Sequence, residues 1–506
     1  MLLHKKFIDT AKECGKRTAV KDMARNTELS YQRLLIACLM FSNRLKKLDD
    51  DSVGIMLPTS AGALISVIAT LFAGKVPVMI NYSTGAEANI RFAQRKCRFK
   101  TVITSRLVLE KVSCPEMEGM IFAEDLLASF SKAEKLSAVA TSLLPAALLK
   151  TMVSNGTPDD TAVILFTSGS EKEPKAVELT HRNLISNYLA ICERVPFTKD
   201  DSILAILPFF HVMGFNTNIW LPLLSGMKVI TYPNPLEFKT IAEFIVKEKP
   251  TVLIGTPYFL MNYLKQSSPG DMASLTYVVA GADKVPEWLY RAFDEQQGLR
   301  LLEGYGATET SPVVAVNSHE FERRGSVGKP LRGVEVKVVD LVTGQPLPAG
   351  QEGKILVRGE LVMKGYFDDL EETALKVEDG WYETGDMGIL DADNYLWHRG
   401  RLKRFVKVAG EMISLVVVED ALNKQLPDDI EVCVVELPDA KKGAMIVAAV
   451  TKDIDEAAVK SLLKDTLPAL AMPKKFVVLP ELPKMGSGKI DFRTTTTMVQ
   501  DMLALR

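Results

Sequence analysis

The sequence predicts an α/β protein with a large N-terminal domain of doubly wound, mostly parallel sheets plus a β subdomain, and a small, mobile α+β C-terminal domain. Short apolar runs recur through the first 300 residues, and most of them end in Pro, Gly, Ser or Thr. Helix-like segments such as residues 240–249 lie between them, an alternation typical of parallel sheets covered on both faces. The residue pattern then changes after about residue 326 and again beyond residue 401.

Seven apolar runs are the expected strands of the N-terminal domain. They are VGIMLP from Val53, VPVMI from Val76, TVITS from Thr101, AVILFTSG from Ala162, ILAILP from Ile203, TVLIGTP from Thr251 and YVVAG from Tyr277. Residues 60–80 form the most membrane-like stretch, but Ser, Thr, Gly, Lys75 and Pro77 interrupt it. A span needs about 20 apolar residues, so we predict a buried helix followed by a strand here.

The later segments predict two further units. VEVKVVD and GKILVRG are joined by the turn-rich TGQPLPAGQEG, which indicates an antiparallel β subdomain. Beyond residue 401 the pattern reads helix, strand, strand, helix, strand, a small α+β domain of ordinary size. We therefore expect an N-terminal domain over residues 1–402 and a C-terminal domain over residues 403–506.

Composition narrows the class of protein. The 506-residue chain has a net charge of −2, which argues against a nucleic-acid partner held by bulk electrostatics. Its six cysteines form no CxxC pair and its five histidines no HExxH motif, which indicates reduced thiols and no zinc site. The basic N-terminus lacks the apolar core of a signal peptide. We expect a cytoplasmic protein, with peripheral contact at the inner face of the membrane as a further expectation.

A loop rich in small hydroxyl residues follows one buried strand. The segment LFTSGSEKEPKAV (residues 165–177) runs through T-S-G-S to Lys175. Backbone N–H groups and hydroxyls on a tight loop form an anion nest, and lysine adds a positive charge. The segment is not a Walker loop, because no second glycine precedes Lys175. Either it holds a polyphosphate or it is an ordinary Ser/Gly-rich turn between a strand and a helix.

Three later fragments favour a nucleotide. LLEGYGATETSPV places Tyr305 between two glycines, followed by Thr308 and Glu309. An aromatic ring beside flexible backbone can stack on a base, and one carboxylate suffices to hold Mg²⁺ that bridges phosphates. GWYETGD then ends in Asp386, and HRGRLKRF supplies Arg401, a suitable pair for two ribose hydroxyls.

Together these fragments resemble the adenylate-forming superfamily, which includes acyl-CoA synthetases, luciferases and peptide-synthetase adenylation domains. The motifs, in the family's order, are TSGSEKEPKAV, PFFHVMGF, VVAGADKV, EGYGATET, GWYETGD, GRLKRFVKVAGE and MGSGKID. KRFVKVAGEMISL and PKMGSGKIDF resemble the bacterial acyl-acyl carrier protein synthetases, also known as 2-acylglycerophosphoethanolamine acyltransferases. Lys172 and Ala176 stand where the family's phosphate loop has glycines. Lost glycines restrict the backbone conformations open to the loop.

The resemblance implies a two-step reaction that needs ATP and Mg²⁺. A fatty carboxylate attacks the α-phosphate of ATP, giving acyl-AMP and pyrophosphate, and a thiol then takes the acyl group. The residues implied for the β- and γ-phosphates are Thr167, Ser168, Gly169, Ser170 and Lys175. Those implied for adenosine are Gly281, Ala282, Glu303, Tyr305, Gly306, Asp386 and Arg401. Within that set, Tyr305 would stack on adenine, Glu303 would lie near its amino group, and Asp386 with Arg401 would hold the ribose.

The resemblance also assigns residues to the reacting groups. Thr308 would touch the α-phosphate, Glu309 would hold Mg²⁺, and Lys489 would reach the forming acyl-phosphate bridge. His211 would lie by the substrate carboxylate. For His211, the alternative is a core histidine with a satisfied hydrogen bond to the backbone. For Lys489, the alternative is a buried salt bridge. The resemblance implies that residues 1–402 bind the nucleotide and that residues 403–506, which carry Lys489, swing about a hinge at Lys403. The implied thiol tunnel includes Gly410.

Three functions are consistent with the sequence. The first is a ligase that joins a fatty acid to acyl carrier protein. The second is a long- or medium-chain acyl-CoA ligase on the same scaffold, and the third is a nucleotide-binding pseudoenzyme, suggested by the altered phosphate loop. Acyl carrier protein is acidic, so a basic face would steer it, although CoA is also polyanionic. The basic residues in question are Arg399, Arg401, Lys403, Arg404, Lys407, Lys441, Lys442, Lys474 and Lys475.

Overall fold

Two large, mostly parallel sheets form the body of the N-terminal domain, as the sequence predicts. The structure, a computed structural model, describes residues 1–167, 174–408, 411–439, 443–464, 466–485 and 488–504. The first sheet has nine strands and is antiparallel only at its two ends. In sheet order these are Lys329–Pro330, Val313–Val316, Leu301–Gly306, Tyr277–Ala280, Val252–Gly255, Ser202–Ala205, Lys228–Thr231, Thr18–Asp22 and Thr27–Ser30.

The second sheet has seven strands, and its first two pairings are antiparallel. In sheet order these are Gly365–Tyr366, Ala176–Thr180, Thr161–Phe166, Val76–Met79, Ser52–Ile55, Val102–Thr104 and Met120–Phe122. All seven apolar runs named from the sequence supply a strand to one of the two sheets. The prediction for residues 60–80 is confirmed: Ser60 caps the buried helix Ala61–Phe72, and the strand Val76–Met79 follows.

Helices cover both sheets. In chain order they are Leu3–Cys14, Tyr31–Leu45, Ala61–Phe72, Ala86–Cys97, Arg106–Lys111, Ala123–Ala128, Lys132–Leu143, Ala146–Met152, His181–Arg194, Val212–Phe215, Leu221–Ser225, Phe238–Glu248, Pro257–Lys265, Glu287–Gln297 and Leu370–Lys376. A buried π-helical turn, Asn216–Trp220, joins two of them and carries polar side chains into the core. Such turns are frequent at functional sites.

The predicted antiparallel β subdomain is present. Its strands are Glu335–Val339, Glu352–Arg358, Val377–Glu378, Trp381–Leu390 and Leu396–Arg401. A 3₁₀ turn, Leu402–Arg404, contains Lys403 and leads to the paired strands Phe405–Val408 and Glu411–Ser414. The implied hinge residue therefore lies where the β subdomain passes into the C-terminal unit.

The C-terminal unit has a hydrophobic core of its own, centred on Val418, Leu422 and Leu463. Its helices are Leu415–Asn423, Glu456–Leu463 and Phe492–Ala504, and its strands are Val432–Asp439, Gly443–Val450 and Lys475–Val478. The order helix, strand, strand, helix, strand from Leu415 to Val478 matches the sequence prediction, whereas the strand pair Phe405–Val408 and Glu411–Ser414 before it and the last helix were not predicted. A separate core is consistent with a separately moving unit, and the division at residues 402 and 403 remains a proposal.

Across the described residues, no helix combines the length and the apolar character that crossing a bilayer requires. The stretch at residues 60–80 is explained instead by the two-layer core, because its helix packs in the hydrophobic cluster of the N-terminal domain. The chain itself thus provides no transmembrane helix in the part that the structure describes.

Two buried histidines make the N-terminal domain sensitive to acid. The rings of His4 and His181 are 5.3 Å apart, and the N–H of Leu3 donates to Nδ1 of His181. Burial lowers the pKa of His4 to about 4 and that of His181 to about 3. Below about pH 6.5 the unfolded chain takes up protons that the folded chain does not, so stability falls as the pH falls.

We expect His181→Asn to reduce this pH dependence. The Asn amide oxygen can accept the Leu3 N–H in place of Nδ1, but it does not titrate. By pH 4.5 the wild-type loss at this one position should be on the order of 2 kcal/mol. The measurement is the thermal midpoint of both proteins between pH 7.5 and 4.5. The thermal midpoint of the variant should fall less than that of the wild type as the pH falls. An equal fall in both proteins would contradict the prediction.

Candidate active site

One cavity of about 1990 Å³ lies between the N-terminal domain and the C-terminal unit. Every residue proposed from the sequence that the structure describes lines this cavity. These residues are Thr167, Lys175, His211, Gly281, Ala282, Glu303, Tyr305, Gly306, Thr308, Glu309, Asp386, Arg401, Lys403 and Lys489. The other four, Ser168, Gly169, Ser170 and Gly410, lie outside the described residues. Residues more than 300 positions apart in the chain therefore meet at one site.

Two hydrogen bonds between Thr167 and Lys175, which we call the clasp, join the two ends of the proposed phosphate loop. It connects the antiparallel strands Thr161–Phe166 and Ala176–Thr180, so it is a hairpin and not the strand-to-helix turn of the alternative interpretation. The N–H of Thr167 donates to the carbonyl of Lys175 (3.0 Å), and the N–H of Lys175 donates to Oγ1 of Thr167 (3.2 Å). This clasp fixes both ends of the loop at the cavity wall.

The side chain of Lys175 already has an anionic partner. It forms an ion pair with Glu372, on the helix Leu370–Lys376, and its ammonium lies 4.7 Å from the centre of the Tyr366 ring. The hydroxyl of Tyr366 donates to Oε1 of Glu309 (3.0 Å). The proposed phosphate lysine and the proposed magnesium ligand are thus linked through one aromatic side chain.

Glu309 occupies a buried 3₁₀ turn, Thr308–Thr310. Its carbonyl accepts the N–H of Met363 (2.8 Å), which joins this turn to the segment before Tyr366. In the described part of the chain there is no group of three or more His, Cys, Asp or Glu side chains able to hold a metal ion. A single carboxylate is what Mg²⁺ needs when substrate phosphates supply most of its other ligands. Glu309 therefore fits the proposed role.

One end of the cavity, proposed to bind the nucleoside, is lined by Asp386 and its partners. The hydroxyl of Tyr305 donates to Oδ2 of Asp386 (2.6 Å). Arg401 is the cross-strand partner of Asp386, and its Nε lies 3.5 Å from Oδ1 of Asp386. Burial favours a raised pKa for Asp386, but His398, Arg401 and Tyr305 outweigh it, so the pKa is lowered. Buried Oδ1 has no hydrogen-bond partner among the described residues. A ribose hydroxyl would satisfy this acceptor, which fits the proposed nucleotide.

Glu303 is also buried at this end, and the hydroxyl of Tyr290 donates to it. Burial raises the pKa of Glu303 to about 7. Near neutral pH this carboxyl is therefore poised between its two protonation states, and the protonated form can donate a hydrogen bond. A polar group of this kind suits an adenine edge, so the proposed role of Glu303 remains open to test.

Lys489 enters the cavity on a loop of the C-terminal unit. Gly488 (φ +80°) lies against the start of the helix Pro257–Lys265, where an added Cβ would be 3.0 Å from the Tyr258 ring. The ammonium of Lys484 lies 4.1 Å from the centre of the same ring. These contacts seat the C-terminal loop on the N-terminal domain. The Lys489 ammonium is thereby held in the cavity.

Burial and the neighbouring charges both affect the Lys489 ammonium. Burial lowers the pKa of Lys489, and the positive charge of Arg401 lowers it further. Burial also lowers the pKa of His211 to about 4, with a further contribution from Lys489. The two side chains therefore lie within electrostatic reach of each other. His211 is neutral near pH 7, as the sequence-derived role beside a carboxylate allows.

One part of the cavity wall is apolar. It is built by the helix His181–Arg194, the segment around the π-helical turn and the strand Val313–Val316. Asn187 ties these elements together, since its Nδ2 donates to the carbonyl of Val313 (2.7 Å) and its Oδ1 accepts from Asn216 (3.1 Å). The apolar lining residues of these elements and their immediate neighbours are Ile191, Val195, Phe197, Val212, Met213, Leu221, Val313 and Val316.

Three side chains of the site were missed from the sequence. Glu372 pairs with Lys175, Tyr366 binds Glu309, and His398 lies 3.7 Å from Asp386 and 5.3 Å from the Tyr305 ring centre. Lys175 and Glu372 are 197 positions apart, so no local spacing links them. Tyr366 reaches Glu309 from a strand of the second large sheet, whereas His398 and Asp386 lie on neighbouring strands of the β subdomain.

We expect Glu372→Gln to tighten ATP binding. Glu372 neutralises the lysine that a triphosphate must engage, so the nucleotide has to displace it. Because both side chains are about one-third exposed, the effect should be modest, a fall of about two- to fivefold in KM for ATP. Glu371→Gln, on the same helix but exposed, is the matched control. KM is measured by pyrophosphate exchange; an unchanged or higher KM in the Glu372 variant would contradict the prediction.

Comparisons with known proteins identify the family of the chain. The AMP-binding enzyme family matches residues 7–367, and the AMP-binding enzyme C-terminal domain matches residues 417–489. The chain is 34% identical to an indoleacetate–CoA ligase of Aromatoleum aromaticum over 66% of both chains. It is 27% identical to a long-chain-fatty-acid–CoA ligase of Bacillus subtilis over 96% of this chain and 92% of the relative.

Among solved structures, ATP-bound MatB from Rhodopseudomonas palustris superposes with a TM-score of 0.85. The two are 26% identical, and the superposition covers 99% of each chain. The superposition and the two family matches lead to the same assignment. The chain belongs to the AMP-binding enzyme family and thus to the adenylate-forming superfamily that its motifs resemble.

Proposed function

We propose that this enzyme activates a fatty acid with ATP and transfers the acyl group to the phosphopantetheine thiol of acyl carrier protein. Enzymes of this family use ATP and Mg²⁺. The observation that carries the proposal is the convergence of Lys489, Glu309 and Asp386 on one cavity, from three separate parts of the chain. These residues contact the reacting bridge, the metal and the ribose in the proposed roles.

In the proposed first step, an acid carboxylate oxygen bonds to the α-phosphorus of ATP, and the bond to the pyrophosphate oxygen breaks. Lys175 and the clasped loop bind the departing pyrophosphate, while Asp386 and Arg401 orient the ribose. Lys489 stabilises negative charge on the bridge between acid and phosphate. Glu309 would hold Mg²⁺, which when bound neutralises charge on phosphate oxygens. Fixed charges of this kind, aimed at where charge develops, are the main source of rate in such reactions.

In the proposed second step, the thiol sulfur bonds to the acyl carbon, AMP departs, and the thiol proton is released. Lys489 has no part in that step, and the C-terminal unit would turn about Lys403 to present Gly410 and its neighbours to the thiol. The separate core of this unit supports such a motion. The division at residues 402 and 403 belongs to this proposal.

The apolar cavity wall supports an acid with an uncharged tail. The lining residues of the helix His181–Arg194, the π-helical region and the strand Val313–Val316 include no charged side chain in the described chain. His211, on the same wall, is neutral near pH 7 because of its low pKa. A second anionic group on the substrate would be buried there without a partner, at high cost. A fatty acid meets this condition, and so do apolar aromatic acids.

The identity of the acyl acceptor is a separate part of the proposal. CoA is the alternative acceptor, and the names of the relatives favour it. Part of the basic face proposed from the sequence is neutralised internally. Arg404 binds Glu419 (2.5 Å), and Lys474 binds Asp439. Lys407 and Lys475 remain exposed, whereas Lys441 and Lys442 lie outside the described residues. A reduced basic face can still steer an acidic partner, because steering depends on net potential.

The test has two stages. Pyrophosphate exchange with a panel of saturated, aromatic and dicarboxylic acids identifies the acid, and we expect exchange with fatty acids and none with dicarboxylates. Labelled palmitate is then offered with acyl carrier protein or with CoA. Thioester on the carrier protein alone supports the proposal, and thioester on CoA alone establishes the acyl-CoA ligase. No exchange with any acid would identify the pseudoenzyme.

A further inference from the structure

Two consecutive helices on the N-terminal domain present large apolar side chains outward. On the helix Lys132–Leu143, the residues facing the core are Ala138 and Ser142, whereas Leu136, Val139 and Leu143 are exposed. The spacing of three and four residues places those three on one face. On the next helix, Ala146–Met152, Leu148 and Met152 are exposed four positions apart. We call these five residues, each between 40% and 70% exposed, the outer apolar face.

The two helices follow each other in the chain, separated only by Leu144 and Pro145, and each packs on a different inner helix. Lys132–Leu143 packs on the helix Tyr31–Leu45, and Ala146–Met152 packs on the helix Leu3–Cys14. These two inner helices also contact each other. An amphipathic helix normally turns its large apolar residues toward the core. On Lys132–Leu143 the small residues Ala138 and Ser142 pack inward, whereas on Ala146–Met152 Leu149 is buried and Leu148 and Met152 remain outside.

Several lysines lie near the outer apolar face, although Lys150, on the second helix, is paired with Asp9. Lys12 donates to the carbonyl of Ser142 (3.0 Å) and Lys46 to the carbonyl of Met152 (3.0 Å), so each ammonium lies at one helix end against a neutral acceptor. Lys132 precedes Leu136 by one turn and is exposed, as is Lys135. The one acidic residue between positions 130 and 152 is Glu134, which forms an ion pair with Arg44 (2.9 Å).

We propose that the outer apolar face docks on the surface of an anionic membrane. Leucine and methionine on one side and lysine around the edge are the features of helices that lie in the lipid interface, where apolar burial and attraction to anionic headgroups add. The preference for a lipid surface rests in part on the proposed function, because fatty acids partition into bilayers. A docked enzyme would take its substrate from the membrane.

A second copy of the chain fits the surface less well. Stable dimers bury roughly 800 Å² on each partner, and five partly exposed side chains supply less than that. Protein interfaces are also depleted in lysine, whereas lysines flank this face at both helices. Scattered apolar residues are normal on any surface, but these five fall within 17 positions on adjacent helices.

The experiment measures sedimentation of the full chain with vesicles of phosphatidylglycerol and phosphatidylethanolamine. The wild type should bind, and L136N/L143N should weaken the partition coefficient at least about tenfold, because two leucines leave the interface. K132E/K135E should also weaken binding, most strongly at low salt. The control L341N/V342N removes two exposed apolar residues from a different turn and should leave binding unchanged.

Three results would overturn the proposal: no binding by the wild type, equal binding by L136N/L143N, or a solution dimer that L136N/L143N dissociates while vesicles bind neither protein. Circular dichroism and the thermal midpoint establish that each variant is folded. Pyrophosphate exchange with octanoate, a soluble fatty acid, should be the same in L136N/L143N and wild type. Failure of that exchange in the wild type bears on the proposed function alone, because vesicle binding is measured without ATP.

Discussion

Lys489→Ala should lower the rate of adenylation by about 10²- to 10⁴-fold, the range expected when a charged group that acts in the transition state is removed. The Lys489 ammonium lies in the cavity within electrostatic reach of His211 and Arg401. Thioester formation from preformed acyl-AMP should remain within about threefold of wild type, because that step does not use this lysine in the proposed mechanism. Pyrophosphate exchange and single-turnover thioester formation measure the two steps separately.

The control for this variant is Lys464→Ala. Lys464 is exposed on the same C-terminal unit and lies away from the cavity. Arg404 is unsuitable as a control, although the sequence suggests it as a neighbouring basic residue. Its guanidinium binds Glu419 and the carbonyl of Val434 (2.8 Å) and stacks on Phe492, so its removal would disturb the unit itself. Equal losses in the Lys489 and Lys464 variants would remove Lys489 from the mechanism.

Gly488→Ala should slow adenylation at least about tenfold while leaving thioester formation from acyl-AMP intact. An alanine Cβ at this position would be 3.0 Å from the ring of Tyr258 and 3.1 Å from that of Phe259. Phe259 is fully buried and cannot move aside, so the C-terminal loop could not seat fully and Lys489 would be withdrawn. Only the step that needs the seated loop should be affected.

Alanine at φ +80° is also strained wherever the loop lies, by roughly 1 kcal/mol. Gly344→Ala separates the two effects, because Gly344 has φ +68° and no atom within 4 Å of an added Cβ. We expect both variants to lose similar stability in thermal unfolding. Only Gly488→Ala should lose adenylation, and a comparable loss in Gly344→Ala would mean that strain, not docking, explains the result.

The fold was largely predictable because its signals are local. Buried parallel strands require short apolar runs, and each of the seven runs became a strand. Residues 60–80 show how interruptions by Ser, Gly and Pro77 separate a buried helix and strand from a membrane span. The last helix, Phe492–Ala504, was missed because its threonine-rich sequence has weak helix propensity, and packing on the C-terminal sheet overrides that preference.

The amino-acid sequence alone predicted which segments line the site, because a phosphate loop, an adenine turn and a ribose pair each need particular residue types at short spacing. The alternation of strands and helices also predicted parallel sheets, in which the corresponding ends of neighbouring strands lie close together. The contacts between these segments depend on tertiary packing: the ion pair of Lys175 with Glu372, the hydrogen bond of Tyr305 to Asp386, and the close approach of Gly488 to Tyr258. These contacts join residues 81 to 230 positions apart, and their geometry depends on how sheets, subdomain and C-terminal unit pack, which no local pattern encodes.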